Sequence, residues 1–368
     1  MKSVHIIIIS ALAAVFSSCE QSAPTPDNRP PGKVYTDPEE KQEYAVCFGN
    51  THSHCRYSGD ANQTEANTVE RHFALARENG YDFYCVTDHS QYDTYSQDAW
   101  EHIAAAADEY TTEKFVAIRG YEHSENNGPG AKGHQNVYNS DSYLNALAEG
   151  IDMTYFHNWL ADPSNSGAVV SMNHPEKDQY DGFACYNESA RNKVTMFEVI
   201  NGKELYFDSF LIALGKGWKV SPIAGCDNHA TNAISTWTPR TGLAVERLTR
   251  EGIFDAMRNR RTYATLDPDL KLIYYVNNHV MGSAFNTSSE ELRFEISVSD
   301  PDKSSADARI RRIEITGASG ATVKAGEFSE HDVEWKVAIP ASKGCYFLKI
   351  YNFTSSEPVA YAAPVWVL

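Results

Sequence analysis

Six histidines and three carboxylates recur where short apolar runs end: His52, His54, Asp60, His89, Glu122, His134, His174, Asp227 and His229. A mixed set of imidazole nitrogen and carboxylate oxygen suits Zn, Mn or Fe better than Ca or Mg, which prefer oxygen alone. Thiolates are absent from the set and the chain has no CxxC pair, which argues against a structural zinc site. Nine donors exceed the needs of one ion, so two or three divalent ions a few Å apart are expected. Water bridging such ions has its pKa lowered towards ~7 and becomes a nucleophile. The chemistry implied is metal-dependent hydrolysis.

Spacing supports the grouping. His52 and His54 are two apart, and in an extended chain both rings face one way. Asp60 follows Ser58-Gly59, where a turn can fold its carboxylate back. In Thr87-Asp88-His89 the aspartate either orients His89 or caps its own loop. Glu122 ends Ile118-Arg119-Gly120-Tyr121-Glu122, and its two oxygens can bridge two ions. His123 should point the other way and be packed or solvated. His134 precedes a weak strand. Pro175 should hold His174 extended. Asp227 and His229, in Gly225-Cys226-Asp227-Asn228-His229, again stand two apart. Glu198 and Asn201 read as structural. His5, His72, His102, His157, His279 and His331 lie in the N-terminal run, in helices or in the C-terminal region, where no metal role is expected.

Strands are expected at Tyr44-Phe48, Tyr81-Val86, Phe115-Ile118, Asn136-Tyr138, Ala168-Met172, Met196-Ile200 and Ser221-Ala224. Helical segments fall at 68–78, 99–110, 155–160, 208–214 and 249–260. In the first, Val69, Phe73 and Ala76 share a face and Gly80 can cap the end. The alternation argues an α/β fold with a parallel sheet. In a parallel barrel the chemistry sits at the C-terminal strand ends, where these ligands fall. After Asp267-Pro268 the pattern becomes turn-separated strands from Leu270-Val276 to Ala360-Val367, which suggests a β-sandwich.

Lys2, the apolar run Ile6-Phe16 and Val15-Phe16-Ser17-Ser18-Cys19 look like a signal peptide (1–18) with a lipidated Cys19. A flexible Pro-rich tether reaches residue 40. The expected location is membrane-anchored, facing periplasm or cell exterior, with the membrane touched only through the Cys19 lipid. Removing the signal takes off Lys2 and moves the formal charge from -17 to -18, which excludes long-range electrostatic attraction to nucleic acid. Cys47 and Cys85 fall on expected neighbouring strands; they read as buried small hydrophobes, with a disulfide as the alternative.

As an ordered set, HxH, TDH, a strand-end Glu, a lone His, NHP and DxH resemble the PHP (polymerase and histidinol phosphatase) domain over roughly residues 44–262. That resemblance implies a distorted (β/α)7 barrel, here at 41–266, ahead of the small all-β sandwich that the strand pattern suggests at 267–368. It implies a first ion on His52, His54, Glu122 and Asp227, and a second on Glu122, His134 and His174. The third would rest on Asp60, His89 and His229. The chain has Ser58-Gly59-Asp60 where many relatives carry Ser-Asp-Gly. The stretch Arg240-Thr241-Gly242 through Arg258–Thr265 is similar, more loosely, to the carbaryl hydrolase-like metallohydrolases.

The leading expectation is a phosphoesterase acting on a small-molecule or sugar phosphate through a metal-bridging hydroxide at a di- or trinuclear site. Its catalytic residues would be Asp227, His229 and Arg240, whose guanidinium can grip phosphate oxygens. Hydrolysis of carboxylic esters, carbamates or amides at the same site is the alternative, favoured by an apolar pocket lined by Tyr92, Tyr95, Tyr180, Phe183 or Trp237. A surface glycan-binding lipoprotein is the reading from another class.

Overall fold

A computed structural model describes residues 35–125, 132–234 and 239–368. The signal peptide, Cys19 and the tether through residue 34 lie outside the described residues, as does Trp237. Thr36–Leu368 form one compact unit.

The first part of this unit alternates strands and helices. In chain order these are β1 (Ala45–Asn50), α1 (Val69–Glu78), β2 (Phe83–Val86), α2 (Gln97–Tyr110), β3 (Val116–Glu125), β4 (Gly133–Tyr138), α3 (Met153–Ala161) and β5 (Val169–Asn173). There follow α4 (Tyr180–Phe183), α5 (Glu188–Arg191), β6 (Val194–Asn201), β7 (Glu204–Leu205), α6 (Phe207–Gly215), β8 (Ser221–Gly225), β9 (Arg240–Val245), α7 (Arg250–Arg258) and β10 (Thr262–Thr265). Local chemistry explains the helices. α1 buries Val69, His72, Phe73 and Ala76, one stripe at helical spacing, and the Thr68 hydroxyl caps it by accepting from Arg71 N. Gly80, just past its end, takes the positive φ of 74° that a side chain disfavours.

The strands form a curled sheet in the order β10-β9-β1-β2-β3-β4-β5-β6, with β8 also pairing β6. It is mixed, not wholly parallel. β1–β2, β2–β3, β5–β6 and β6–β8 are parallel. β4 runs antiparallel to both β3 and β5, and β9 antiparallel to both β1 and β10. For β3 and β4 the physical reason is the short chain between Glu125 and Gly133, which allows a hairpin but not a crossover. β8 reaches the far edge through side chains. Thr241 Oγ1 donates to Ala224 O at 2.9 Å, and Thr262 Oγ1 to Pro222 O at 2.7 Å. Inside the curl, Phe83, Val116, Ile118, Val169, Met196 and Leu243 share a core with Ile253 and Met257 of α7, which closes the end where β3 and β5 begin.

The chain after β10 is all strand: β11 (Lys271–Val276), β12 (His279–Val280), β13 (Ala284–Phe285), β14 (Glu291–Ser299), β15 (Ile310–Gly317), β16 (Thr322–Glu327), β17 (Asp332–Pro340), β18 (Gly344–Asn352), β19 (Ala360–Ala362) and β20 (Val365–Val367). β12-β11-β14-β17 is a separate four-stranded sheet. In β14, Leu292, Phe294, Ile296 and Val298 alternate inward, as the period of two requires. They share a core with Ile313, Ile315, Leu348 and Ile350 of the facing strands. Those strands continue the curled sheet, because β19 pairs antiparallel with β10 (Tyr263 opposite Ala362, Thr265 opposite Ala360). Cys47 and Cys85 are free thiols inside the curl, so burial, not a disulfide, is their role.

Candidate metal centre

All nine expected ligands converge at one rim of the curled sheet. His52 and His54 follow β1, Asp60 lies in the next loop and His89 follows β2. His174 follows β5; Asp227 and His229 follow β8. Glu122 lies within β3, and His134 within β4 instead of before it, because both strands extend into a longer hairpin than their apolar runs suggested.

Glu122 is the hub. Its Oε2 lies 3.3 Å from His52 Nε2, 3.4 Å from His54 Nε2 and 3.2 Å from His89 Nδ1. Its Oε1 lies 3.3 Å from His134 Nδ1 and 3.5 Å from His174 Nε2. Asp227 Oδ1 stands 3.0 Å from His54 Nε2 and 3.4 Å from His52 Nε2. Asp60 Oδ2 is 3.3 Å from both His89 Nε2 and His229 Nε2, so the shifted Ser58-Gly59-Asp60 order still delivers the carboxylate. Four overlapping groups arise: His54, Asp60, His89, His229; His52, His174, Asp227; His52, His54, Glu122; and His89, Glu122, His134.

The donors fit divalent ions. Glu122 Oε2 is buried among three imidazoles with no hydrogen-bond partner. His52 Nε2 and His54 Nε2 point at one another across 3.1 Å. Orphaned buried acceptors packed this tightly call for a shared cation. The electrostatics agree. Burial works to raise Glu122 and Asp227, but the surrounding imidazoles, His52 foremost, hold both well below the ordinary carboxylate range. Burial takes His54 down to about 4, a neutral ring able to ligate. At His52 burial is outweighed by Asp227, Glu122 and Glu198, which raise it.

Two ligands sit on unusual backbone. His174 has φ 29° and Asp227 φ 48°, a region non-glycine residues seldom occupy. The extended backbone expected before Pro175 is therefore not adopted. Glu198 Oε2 accepts His174 N at 2.7 Å and holds the turn. Asp227 N donates to His52 O at 3.0 Å, tying the β8 loop to the β1 loop.

Supporting contacts set the rings. Glu198, expected to be merely structural, is fully buried and its Oε1 pairs with His52 Nδ1 at 3.1 Å. Asn173 Nδ2 donates to Glu122 Oε1 at 2.8 Å, and Asn201 Nδ2 to Glu198 Oε2 at 2.9 Å. Ser124 Oγ lies 2.7 Å from His89 Nδ1. Asp88 neither orients His89 nor caps its own loop; it accepts from Cys55 N at 2.7 Å and ties the loop after β2 to the loop after β1. Sequence spacing marked the ligands but not these partners, whose signal is only polarity on an otherwise apolar strand.

Other residues fall elsewhere. Arg240 is buried, with its guanidinium 3.5 Å over the Tyr81 ring and a hydrogen bond to Pro239 O. Arg261 pairs with Asp255. His123 is packed, stacked on Phe156 at 4.0 Å. His102 meets Glu70 and Tyr57. Of the aromatics expected to line a pocket, Tyr95, Tyr180 and Phe183 are core, while Tyr92 stands edge-on to His89.

No protein-family model and no curated protein matches the chain. Solved structures do. A two-domain protein from Bacteroides vulgatus ATCC 8482, containing a predicted PHP-like metal-dependent phosphoesterase, aligns over 90% of this chain and 98% of its own, at TM-score 0.50 and 14% identity. The fold is PHP-like. PsfC from Pseudomonas syringae PB-5123 covers 59% of this chain and 90% of its own (TM-score 0.43, 18% identity). The lesion-specific endonuclease PfuEndoQ from Pyrococcus furiosus covers 58% and 56% (TM-score 0.38, 14% identity). On this PHP-like frame the nine side chains form a cluster that fits a metal-dependent hydrolase.

Proposed function

We propose that the chain is a metal-dependent phosphoesterase whose nine clustered side chains hold two or three ions of Zn, Mn or Fe. The carrying observation is Glu122, a buried carboxylate with each oxygen facing a different set of imidazoles. His52, His54 and Asp227 would hold one ion, His134 and His174 a second, and Asp60, His89 and His229 a third, with Glu122 shared. When bound, such ions supply Lewis acidity and an acidified water.

The chain's own groups do the remaining work. Glu198 and Asn201 fix His52 and Asp227 before substrate arrives, so little reorganisation is left to the reaction. Asp60 and His229 are the most exposed of the nine and mark the side from which substrate enters. Tyr92 stands beside that opening. Tyr206 lies on the Asp227 side; burial, then Glu176, Glu198, Glu204 and Asp227, push its hydroxyl up to about 12. A phenol kept protonated can donate to a substrate oxygen. Arg240 is stacked on Tyr81, an arrangement that favours a packing role over the phosphate contact its chemistry permits. The N-terminal sequence supports export as a lipoprotein anchored at Cys19.

The test is one hydrolysis panel under Mn, Zn and Fe, comparing phosphomonoesters, phosphodiesters, carboxylic esters and carbamates, with Asp227→Ala as control. Phosphoester turnover lost in the variant is expected. Turnover of carboxylic esters or carbamates alone would replace the phosphoesterase reading with the alternative hydrolase at the same centre.

A further inference from the structure

The segment after His174 holds a backbone feature that core packing alone does not require. Tyr180, Asp181, Gly182 and Phe183 have φ of 53°, 49°, 67° and 62°, one continuous left-handed turn. L-residues visit this region as single residues, at a cost of roughly 1–2 kcal/mol each. Three of the four here carry side chains. Such strain persists where the surroundings over-determine it, and it concentrates at functional sites.

The surroundings do over-determine it. Tyr180 N donates to Lys132 O at 3.0 Å, and Trp218 Nε1 donates to Phe183 O at 2.9 Å. Asp181 pairs with Lys132 and accepts from Tyr186 Oη at 2.8 Å. The Tyr180 ring lies flat on Gly133, whose φ is 97°; a Cβ there would come within 2.8 Å of Tyr180 Cε1 and closer to Cζ. Glycine is the residue that admits this approach.

The turn aims the Tyr180 hydroxyl at two backbone carbonyls, His134 O and Asn173 O, the latter at 3.3 Å. One carbonyl belongs to a candidate ligand, and the other immediately precedes His174. These are the two imidazoles that face Glu122 Oε1. Tyr180 thus ties the start of β4 to the end of β5 directly behind that pair. The residue is 1% exposed, so its hydroxyl is sealed from solvent and has these carbonyls as its acceptors.

We infer that Tyr180 is a positioning residue for the ion held by His134, His174 and Glu122, and that the strained turn exists to place its hydroxyl. This rests on the metal-centre reading above. The test is Tyr180→Phe, which keeps the ring and removes only the hydroxyl, with His134→Ala as the reference for loss of that ion. Metal-free protein of each kind is titrated with Mn(II) and Co(II), reading ion count, affinity and the Co(II) absorption spectrum. Melting temperature is followed in parallel.

Tyr180→Phe should melt close to the parent yet bind one ion roughly 10–100-fold more weakly, the usual effect of removing an outer support of a ligand. Its Co(II) spectrum should shift towards that of His134→Ala. Gly182→Ala should weaken the same ion, because its Cβ meets open space and adds only left-handed strain. Unchanged count, affinity and spectrum in Tyr180→Phe would overturn the assignment while leaving the metal centre intact. A parent protein that takes up no ion would overturn both.

Discussion

Gly225 lies against Glu198 with no room for a side chain between them. A Cβ at Gly225 would overlap Glu198 Oε1 and come 2.8 Å from the His52 Cβ. The glycine is required by close approach, since its φ is not positive. Gly225→Ala should therefore push Glu198 off His52. Overpacking of this kind costs about 1–3 kcal/mol. The variant should melt lower and lose bound metal, checked by calorimetry and elemental analysis. Parent-like values for both would show that the Glu198–His52 pair is not under steric control.

Glu198 itself offers a cleaner separation. Glu198→Ala leaves His52 Nδ1 without its partner and removes the acceptor for His174 N. Loss of a carboxylate behind a metal-ligating imidazole typically weakens the ion 10–100-fold. Glu198→Gln keeps an amide oxygen and should retain more affinity than the alanine variant. Metal titration of the pair checks the order; equal affinity in both would assign Glu198 to packing alone.

Acid should destabilise the fold through His72. This ring is fully buried against Asn67 and Tyr84, and burial, with His54 adding to it, lowers its pKa to about 3. Its folded pKa is depressed below the 6.5 of the free side chain, so the unfolded chain binds the proton first. The stability contributed is complete above 6.5 and falls as pH drops towards 3, by about 1.4 kcal/mol per unit. Urea midpoints at about pH 7.5 and about pH 5 should show this loss, and His72→Leu should reduce it. The same acid sensitivity in the variant would remove His72 as its source.

The C-terminal strands should be inseparable from the rest of the unit. β19 completes the backbone ladder of β10, and Phe347 and Tyr361 pack their rings on Phe207 of α6 at 6.0 and 5.0 Å. Ending the chain at residue 266 leaves an open sheet edge and uncovers these aromatics. That fragment should aggregate or lack a cooperative melt. A soluble fragment with a sharp transition would show the first part to be independently stable.

The sequence made some of this architecture legible and hid the rest for physical reasons. The ligands stood out because an imidazole or carboxylate at the end of an apolar run adds little to packing. α1, α2 and β14 were legible because their buried residues keep a strict period. β9 carries no strand signal in the sequence. It is buried throughout, so it shows no alternation, and Gly242 interrupts its pattern to admit the Tyr263 ring. The antiparallel course of β4 was hidden too, because the apolar runs 115–118 and 136–138 leave a gap long enough for a crossover, and only the polar extensions to Glu125 and from Gly133 shorten it to a hairpin. Glu198 showed only polarity on an apolar strand, and neither it nor Tyr180 showed locally what it would hold, since their partners lie 146 and 46 residues away.

The most direct measurement is the metal content of the purified chain, by elemental analysis, before and after chelation. Two or three divalent transition-metal ions per chain are expected, with hydrolytic turnover lost on chelation and restored by Mn, Zn or Fe. A folded protein that carries no ion, and takes none up when offered, would contradict the reading of Glu122 and its imidazoles as a metal centre.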